Sequence, residues 1–328
     1  MARQRRNNTN VKLKDTLVLN KFLLSLFGAS SFEAFSKDLK DSRLEGYDEN
    51  NISNYYHALI GHIFVTTHLS KDALLEYDQN IYSHTKQISE KRHKPIIWKY
   101  FQYLSLLFTE IYLDKYFSRP KELLESLNSF VEDFNSKIDG FTSQKFDESD
   151  INKLAFWNAT GSGKTLLMHI NILQYLHYAN KHNKEKDLNR VVLLTPNEGL
   201  SKQHLTELQK SGFNSELFTK QSTPLFSGQI VEIIDIHKLE ETEGEKTVAV
   251  DSFESNNLVL VDEGHRLRHH RERQGRAELQ AEDRDDRDRY QRQHMVPQDR
   301  PLRLARGARE LNRVGEHDLA RAGARQPH

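Results

Sequence analysis

The segment that most constrains the fold is the stretch Asn158-Ala-Thr-Gly-Ser-Gly-Lys-Thr165, which follows a short apolar run and precedes a helical pattern. Glycines let a backbone turn tightly and approach an anion without a Cβ in between. N–H groups at the start of a helix point at such an anion, and the helix dipole favours its negative charge. The stretch therefore predicts a phosphate-binding loop that opens a helix, with a chance Gly-Ser turn as the alternative.

Individual residues of this loop have predicted roles in binding ATP with Mg²⁺. Lys164 would reach the β- and γ-phosphates, and the Thr165 hydroxyl would ligate Mg²⁺. Asn158 stands where the strict pattern of such loops has glycine, so the pattern is met only in a relaxed form. The residues predicted to bind the nucleotide are Thr160, Gly161, Ser162, Gly163, Lys164 and Thr165.

A second motif, Leu258-Val-Leu-Val-Asp-Glu-Gly-His265, carries acidic residues further along the chain. Its apolar residues predict a strand with Asp262 at the carboxyl end, where open parallel sheets bind ligands. Asp262 would hold Mg²⁺ and Glu263 would orient and polarise the attacking water, so both join Lys164 as predicted catalytic residues. His265 would be a coupling residue rather than a base. An ordinary strand that ends in an acidic turn is the alternative interpretation.

Strand-like and helical stretches alternate between residues 151 and 266, whereas residues 11–140 have a helical pattern. This alternation indicates an α/β fold with a parallel sheet, whose unbroken apolar strands are typical of burial on both faces. In the helical part, Ile96–Phe117 is apolar around most of its circumference, which predicts a core helix. The predicted strands are Leu154–Trp157, Arg190–Leu194, Gln229–Ile236 and Leu258–Val261, and the further predicted helices are Lys121–Phe134, Lys164–Tyr178 and Glu198–Lys210.

These motifs together resemble superfamily-2 helicases, especially the DEAD/DEAH-box ATPase part of type III restriction enzyme Res subunits and related phage-defence proteins. The resemblance covers residues 150–266 and extends only loosely to the helical part. It implies a RecA-like lobe that hydrolyses ATP with Mg²⁺, with DNA as the partner. It would place Thr195 and Pro196 in a loop against the phosphate backbone, with Gln203 on the following helix. A capped helix after a strand explains Pro196 equally well. The segments that carry the resemblance are Ala159–Thr165, Leu194–His204 and Val261–His265.

The formal net charge of zero is an average over two different compositions. Residues 1–266 have a net charge of −4, whereas residues 267–328 have 15 Arg, 11 acidic residues and no Lys, a net charge of +4. The second segment also lacks Ser, Thr, Ile and Phe, so it is predicted to be disordered because it buries too little apolar surface. We expect sequence that is out of frame or foreign from about Arg266, with a natural Arg-rich tail or a folded module as alternatives.

The predicted function is that of the ATP-binding part of a DNA-dependent ATPase or translocase from a restriction or phage-defence system. We expect weak nucleotide binding and little turnover, because the coupling motif, second lobe and nuclease domain of the family are not recognised. A modification subunit or another defence-system subunit is a further predicted partner. The alternatives are a non-catalytic module that docks a partner through the helical part, and a small-molecule kinase. The predicted organisation is a disordered start (1–10), a helical domain (11–145), a partial RecA-like lobe (146–266) and an Arg-rich tail (267–328).

Two absences bear on location and chemistry. The chain contains no cysteine, which excludes a thiolate metal site and a thiol nucleophile. Its apolar runs fall far short of the ~20 residues that span a bilayer, and no apolar signal segment follows the basic start. The predicted location is therefore the cytoplasm, with no membrane partner.

Overall fold

The computed structural model describes residues 16–62, 69–137, 142–156, 158–159, 161–218, 230–240, 248–249 and 256–264. These residues form two compact units. The first contains the described residues up to Lys186 together with Lys210–Gly212, and the second contains Asp187–Gln209 and the described residues from Phe213 onward. The division into domains at residues 145 and 146 stays a prediction. The disorder expected for residues 1–10 and 267–328 concerns residues outside the described ranges.

The first unit is helical, as the sequence pattern predicts. The helix expected to begin at Ile96 begins instead at Tyr100, because the Lys99 N–H group donates to the Gln102 Oε1 atom at 2.8 Å and caps the helix there. Its helices are α1 (Val18–Ser25), α2 (Phe32–Phe35), α3 (Asn54–His62), α4 (Lys71–Ser89), α5 (Tyr100–Ser118), α6 (Pro120–Lys137) and α7 (Lys164–Lys181), with short 3₁₀ turns at Asp38–Lys40, Ser42–Leu44 and Glu185–Asp187.

Helix α5 is the core of this unit. It packs against α4, α6 and α7 and is buried around most of its circumference, which confirms the sequence-based expectation. Helix α7 is bound to α5 by two buried hydrogen bonds. The Gln174 Nε2 atom donates to the Leu106 carbonyl at 3.0 Å, and the Tyr178 hydroxyl donates to the Glu110 carboxylate at 2.7 Å. The helix that follows the predicted phosphate-binding loop is therefore fixed along its length.

Glu110 is a fully buried carboxyl group within this apolar helix. Besides the bond from Tyr178, its Oε2 atom accepts a hydrogen bond from Asn80 on α4 at 3.0 Å. Burial disfavours the charged form and raises the pKa of Glu110 to about 7, although the hydrogen bonds from its neighbours lower that pKa. The core of the helical unit therefore changes its charge near neutral pH.

The second unit contains a parallel sheet with the strand order β2-β3-β1-β6. Strands β1 and β3 lie in the centre and are almost entirely buried, whereas β6 lies at an edge and is half-buried. Helix α8 (Glu198–Lys210) connects β1 to β2. The parallel α/β prediction is therefore confirmed. The strands are β1 (Arg190–Thr195), β2 (Asn214–Leu217), β3 (Ile230–Asp235), β4 (Leu239–Glu240), β5 (Val248–Ala249) and β6 (Asn257–Val261), with β4 and β5 paired separately.

One predicted strand, Leu154–Trp157, was wrong in its described part. Residues 154–156 form no strand, and Trp157 lies outside the described residues. Phe156 is 44 % exposed, so the apolar run does not supply a buried strand face. The chain just before this run is bound to the helical unit instead, because the Tyr112 hydroxyl on α5 donates to the Ile151 carbonyl at 2.6 Å. No described helix is both long and apolar enough to cross a membrane.

The buried carboxyl group predicts a pH-dependent stability. In the folded chain the pKa of Glu110 rises from 4.5 to about 7, so folding favours its protonated form. Its contribution to the free energy of unfolding is therefore retained at low pH and lost as the pH rises through 7. Relative to Glu110→Gln, which keeps an oxygen acceptor but cannot ionise, the wild-type chain should lose on the order of 2–3 kcal/mol between pH 5 and pH 8. Urea unfolding at both pH values measures this difference.

The matched control is Glu125→Gln on the exposed side of α6, which should follow the wild-type chain at both pH values. Burial also lowers the pKa of His84 to about 4, so acidification removes the contribution of His84 to stability. Both the wild type and Glu110→Gln contain His84, so the difference between them isolates the effect of Glu110. Parallel pH profiles for the wild type and Glu110→Gln would contradict the assignment of the titration to Glu110.

Candidate functional site

The predicted phosphate-binding loop lies in the first unit and has a left-handed backbone at two glycines. The φ angles of Gly161 and Gly163 are +76° and +83°. A residue with a Cβ adopts this region at a cost of about 1–2 kcal/mol, which glycine avoids. Gly163 precedes α7 directly and supplies no side-chain cap, and its carbonyl accepts the N–H groups of Leu166 and Leu167. The start of α7 therefore has the dipole and backbone geometry that suit an anion.

Ser162 provides a direct test of whether this loop fits phosphate. Its Oγ atom is buried and has no hydrogen-bond partner. An unsatisfied buried hydroxyl costs about 1–3 kcal/mol, and a phosphate oxygen would remove that cost by accepting its hydrogen. Lys164 and Thr165, the first residues of α7, are half-buried beside it. The described residues of the loop thus fit a phosphate group, whereas Thr160 lies outside the described residues.

Gln102 on α5 holds the loop, and the sequence analysis did not identify it. While its Oε1 atom accepts from Lys99, its Nε2 atom donates to the Ser162 carbonyl at 2.7 Å. A Cβ placed on Gly163 would lie 2.6 Å from that Nε2 atom. Gly163 is therefore favoured by its φ angle, and a Cβ at this position would also displace the Gln102 amide. The sequence signalled only that a glutamine stands near the start of a helix.

The acidic motif lies in the second unit, at the carboxyl end of β6. The Asp262 N–H group donates to the Leu194 carbonyl on β1 at 3.0 Å, which continues the strand pairing beyond Val261. The Asp262 carboxylate is 20 % exposed, and its Oδ2 atom lies 2.9 Å from the Nε2 atom of His204 on α8. Mg²⁺ in nucleotide sites is held by one or two carboxylates plus phosphate oxygens. A partly exposed carboxylate at the end of a parallel strand fits that role.

Glu263 follows Asp262 with a left-handed backbone, at a φ angle of +52°. Such a conformation is unfavourable for glutamate and occurs where the surrounding structure imposes it, often at functional positions. The turn from Asp262 to Gly264 therefore places two consecutive acidic residues directly after the strand. His265, the predicted coupling residue, lies outside the described residues.

The three residues predicted to contact nucleic acid also lie in the second unit. Thr195 is fully buried, and its Oγ1 atom lies 2.6 Å from the Ser201 hydroxyl and 3.3 Å from the Ile234 carbonyl. Pro196 is buried as well, whereas Gln203 on α8 is exposed. Of these side chains, Gln203 is therefore the one on the surface of its unit. The nucleic-acid roles of all three stay predictions.

These features define the class of protein: an α/β protein of the helicase-like type, with a glycine-containing loop before a helix and an acidic turn after a parallel strand. The model of the family "Type III restriction enzyme, res subunit" matches residues 121–284, half of the chain. The chain belongs to this family, and the matched domain is of the superfamily-2 helicase type. No curated protein and no solved structure matches the chain.

The family match extends what the two motifs indicate separately. It begins within α6 and ends at residue 284, so it spans the loop and the acidic motif and passes beyond Arg266, where the composition changes. The domain indicates a helicase-like ATPase of restriction systems, and the family generally uses ATP with Mg²⁺ and implies interaction with DNA.

The contact between Gly163 and Gln102 yields a prediction about the loop. Gly163→Ala should lower the free energy of unfolding more than Gly161→Ala, because both introduce a left-handed alanine but only the first displaces Gln102. We expect an excess of about 1 kcal/mol, which corresponds to the loss of the partly buried hydrogen bond from Gln102 to the Ser162 carbonyl. Urea unfolding of both variants measures it.

Gln102→Ala supplies the control for this comparison. In a Gln102→Ala background the excess cost of Gly163→Ala over Gly161→Ala should disappear, because the atom that the new Cβ meets is gone. Equal costs for the two glycine variants in the wild-type background, or an excess that persists without Gln102, would contradict the assigned contact.

Proposed function

We propose that this chain is the ATP-binding part of a DNA-dependent ATPase or translocase of a restriction or phage-defence system. The observation that carries the proposal is the loop before α7, in which two left-handed glycines and the buried, unpartnered Ser162 hydroxyl surround an uncapped helix start. Such a helix start, with the adjacent Lys164 and Thr165, suits a polyphosphate. The family supports ATP with Mg²⁺ as that ligand.

The residues of the two motifs would divide the work on the nucleotide. Lys164 would bind the β- and γ-phosphates, and Thr165 and Asp262 would hold the metal ion. Mg²⁺ supplies neutralisation of the charge that develops on the phosphates. Glu263 would orient and polarise the water that attacks. The proposal rests on the geometry of each unit separately and on the family to which the chain belongs.

For DNA, we propose that the surface of α8 contributes more than the loop before it. Thr195 uses its hydroxyl in buried bonds, so its role would be to shape the turn that leads into the helix. Gln203 is exposed, and Lys202 beside it is exposed as well and pairs with Glu198 at 2.9 Å. Polar and basic side chains of this kind contact phosphates and position a protein on DNA.

Nucleotide binding tests the proposal most directly. A fluorescent ATP analogue titrated into the full chain with Mg²⁺ should bind, and Lys164→Ala should weaken its affinity at least about tenfold, which corresponds to 1.4 kcal/mol. Lys186→Ala, an exposed lysine in the turn after α7, is the matched control and should bind as the wild type does. DNA-stimulated ATP hydrolysis should be slow in all three proteins, because no coupling motif or second lobe is recognised in the sequence, so nucleotide binding decides the proposal.

The proposal fails if Lys164→Ala and Lys186→Ala bind the analogue equally well while both remain folded. Thermal unfolding of each variant in the absence of nucleotide should give the wild-type midpoint and thereby separates lost binding from lost structure.

A further inference from the structure

His204 is a buried histidine in direct contact with the acidic motif. Its side chain is 5 % exposed, and its Nε2 atom lies 2.9 Å from the Oδ2 atom of Asp262. The second ring nitrogen, Nδ1, is buried and has no hydrogen-bond partner. The polar contact of this imidazole is therefore with Asp262, the carboxylate that would hold Mg²⁺ in the proposed function.

The chemistry of the two groups fixes the direction of this hydrogen bond. An ionised carboxylate only accepts hydrogen bonds, so the Nε2 atom of His204 must carry the hydrogen and donate it. The bond occupies one lone pair of Oδ2 and restricts rotation of the carboxylate about its terminal bond. Ligating carboxylates are commonly oriented by such partners, and loss of the partner typically reduces metal affinity 10–100-fold.

The position of His204 connects this carboxylate to the helix that carries Gln203. Helix α8 begins after Asn197, whose Oδ1 atom accepts the N–H group of Leu200 at 2.9 Å. The Ser201 hydroxyl, on the next turn, contacts Thr195 at the end of β1. His204 lies on the same helix one turn further on, so a displacement of α8 would change the bond to Asp262.

We propose that His204 is a positioning residue, which orients Asp262 for Mg²⁺ and transmits the state of α8 to that carboxylate. This inference rests on the proposed function, since it assumes that Asp262 holds the metal ion and that α8 meets DNA. A purely structural histidine, which only secures the end of β6 against α8, is the competing explanation. The two differ in what happens to the Mg²⁺ dependence of nucleotide binding when the donated hydrogen is removed.

A pair of variants isolates the donated hydrogen bond. Gln and Met have similar lengths, but only the Gln amide donates. In the full chain, the affinity for a fluorescent ATP analogue is measured with Mg²⁺ and with EDTA. His204→Met should reduce the gain in affinity that Mg²⁺ provides about tenfold and leave the affinity in EDTA unchanged, whereas His204→Gln should retain most of the gain. Thr206→Ala, exposed on the same helix, is the control and should match the wild type.

Duplex DNA provides the test of transmission. Addition of duplex DNA should change the Mg²⁺-dependent gain in the wild-type chain and in His204→Gln, and should leave it unchanged in His204→Met. A DNA effect that persists in His204→Met would overturn the link through His204. An Mg²⁺-dependent gain that is equal in His204→Met and the wild type would overturn the positioning role altogether.

If His204→Met does not fold, a measurement on the wild-type chain tests the premise that the metal ion binds beside His204. The imidazole Nε2 resonance of His204, identified by its absence from the spectrum of His204→Gln, should broaden when Mn²⁺ and the nucleotide analogue are added together. An unaffected resonance at saturating nucleotide overturns the inference. If the wild-type chain shows no nucleotide binding that depends on Lys164, the proposed function itself fails and this inference with it, which is a distinguishable outcome.

Discussion

One side chain, Gln102, joins the predicted phosphate-binding loop to the helical core. Its amide accepts the N–H group that begins α5 and donates to the Ser162 carbonyl, so one planar group fixes a helix start and the loop together. An amide is suited to this because it carries a donor and an acceptor on the same carbon, in one rigid plane. Its nitrogen lies so close to Gly163 that a Cβ there would displace the amide, in addition to the cost of the left-handed backbone angle.

Hydrogen bonds within the helical core hold α7, the helix that follows the loop. Helix α7 starts at the loop and is bound to α5 at Gln174 and Tyr178, well away from its start. The bond from Tyr178 ends on the buried Glu110, which also accepts from Asn80 on α4. A carboxyl group held by donors from two other helices fixes the rotation of α7 about its axis, which apolar contacts alone specify less sharply. The loop is therefore oriented before any ligand arrives.

Much of the fold could be predicted from the sequence, because its signals are local. A few consecutive residues are enough to predict a strand from each of the apolar runs of β1, β3 and β6. The same is true of the loop before α7. The error at Leu154–Phe156 has the same origin, since a short apolar run does not reveal whether it pairs in a sheet or runs along a helix. Gln102 and His204 escaped notice because their partners, Ser162 and Asp262, lie far away in the sequence.

The two motifs share a physical property that their sequences do not show. Each contains a group held in an unfavourable state by its surroundings: the Ser162 hydroxyl is buried without a partner, and Glu263 has a left-handed backbone. Each such state costs about 1–3 kcal/mol, so the surrounding contacts must supply that stability. In the first motif, Gln102 and α7 provide the stabilising contacts. In the second motif, the hydrogen bonds of Asp262 to Leu194 and His204 provide them. The two states differ in what can relieve them: an acceptor oxygen satisfies the Ser162 hydroxyl, whereas the backbone of Glu263 is held by the protein itself.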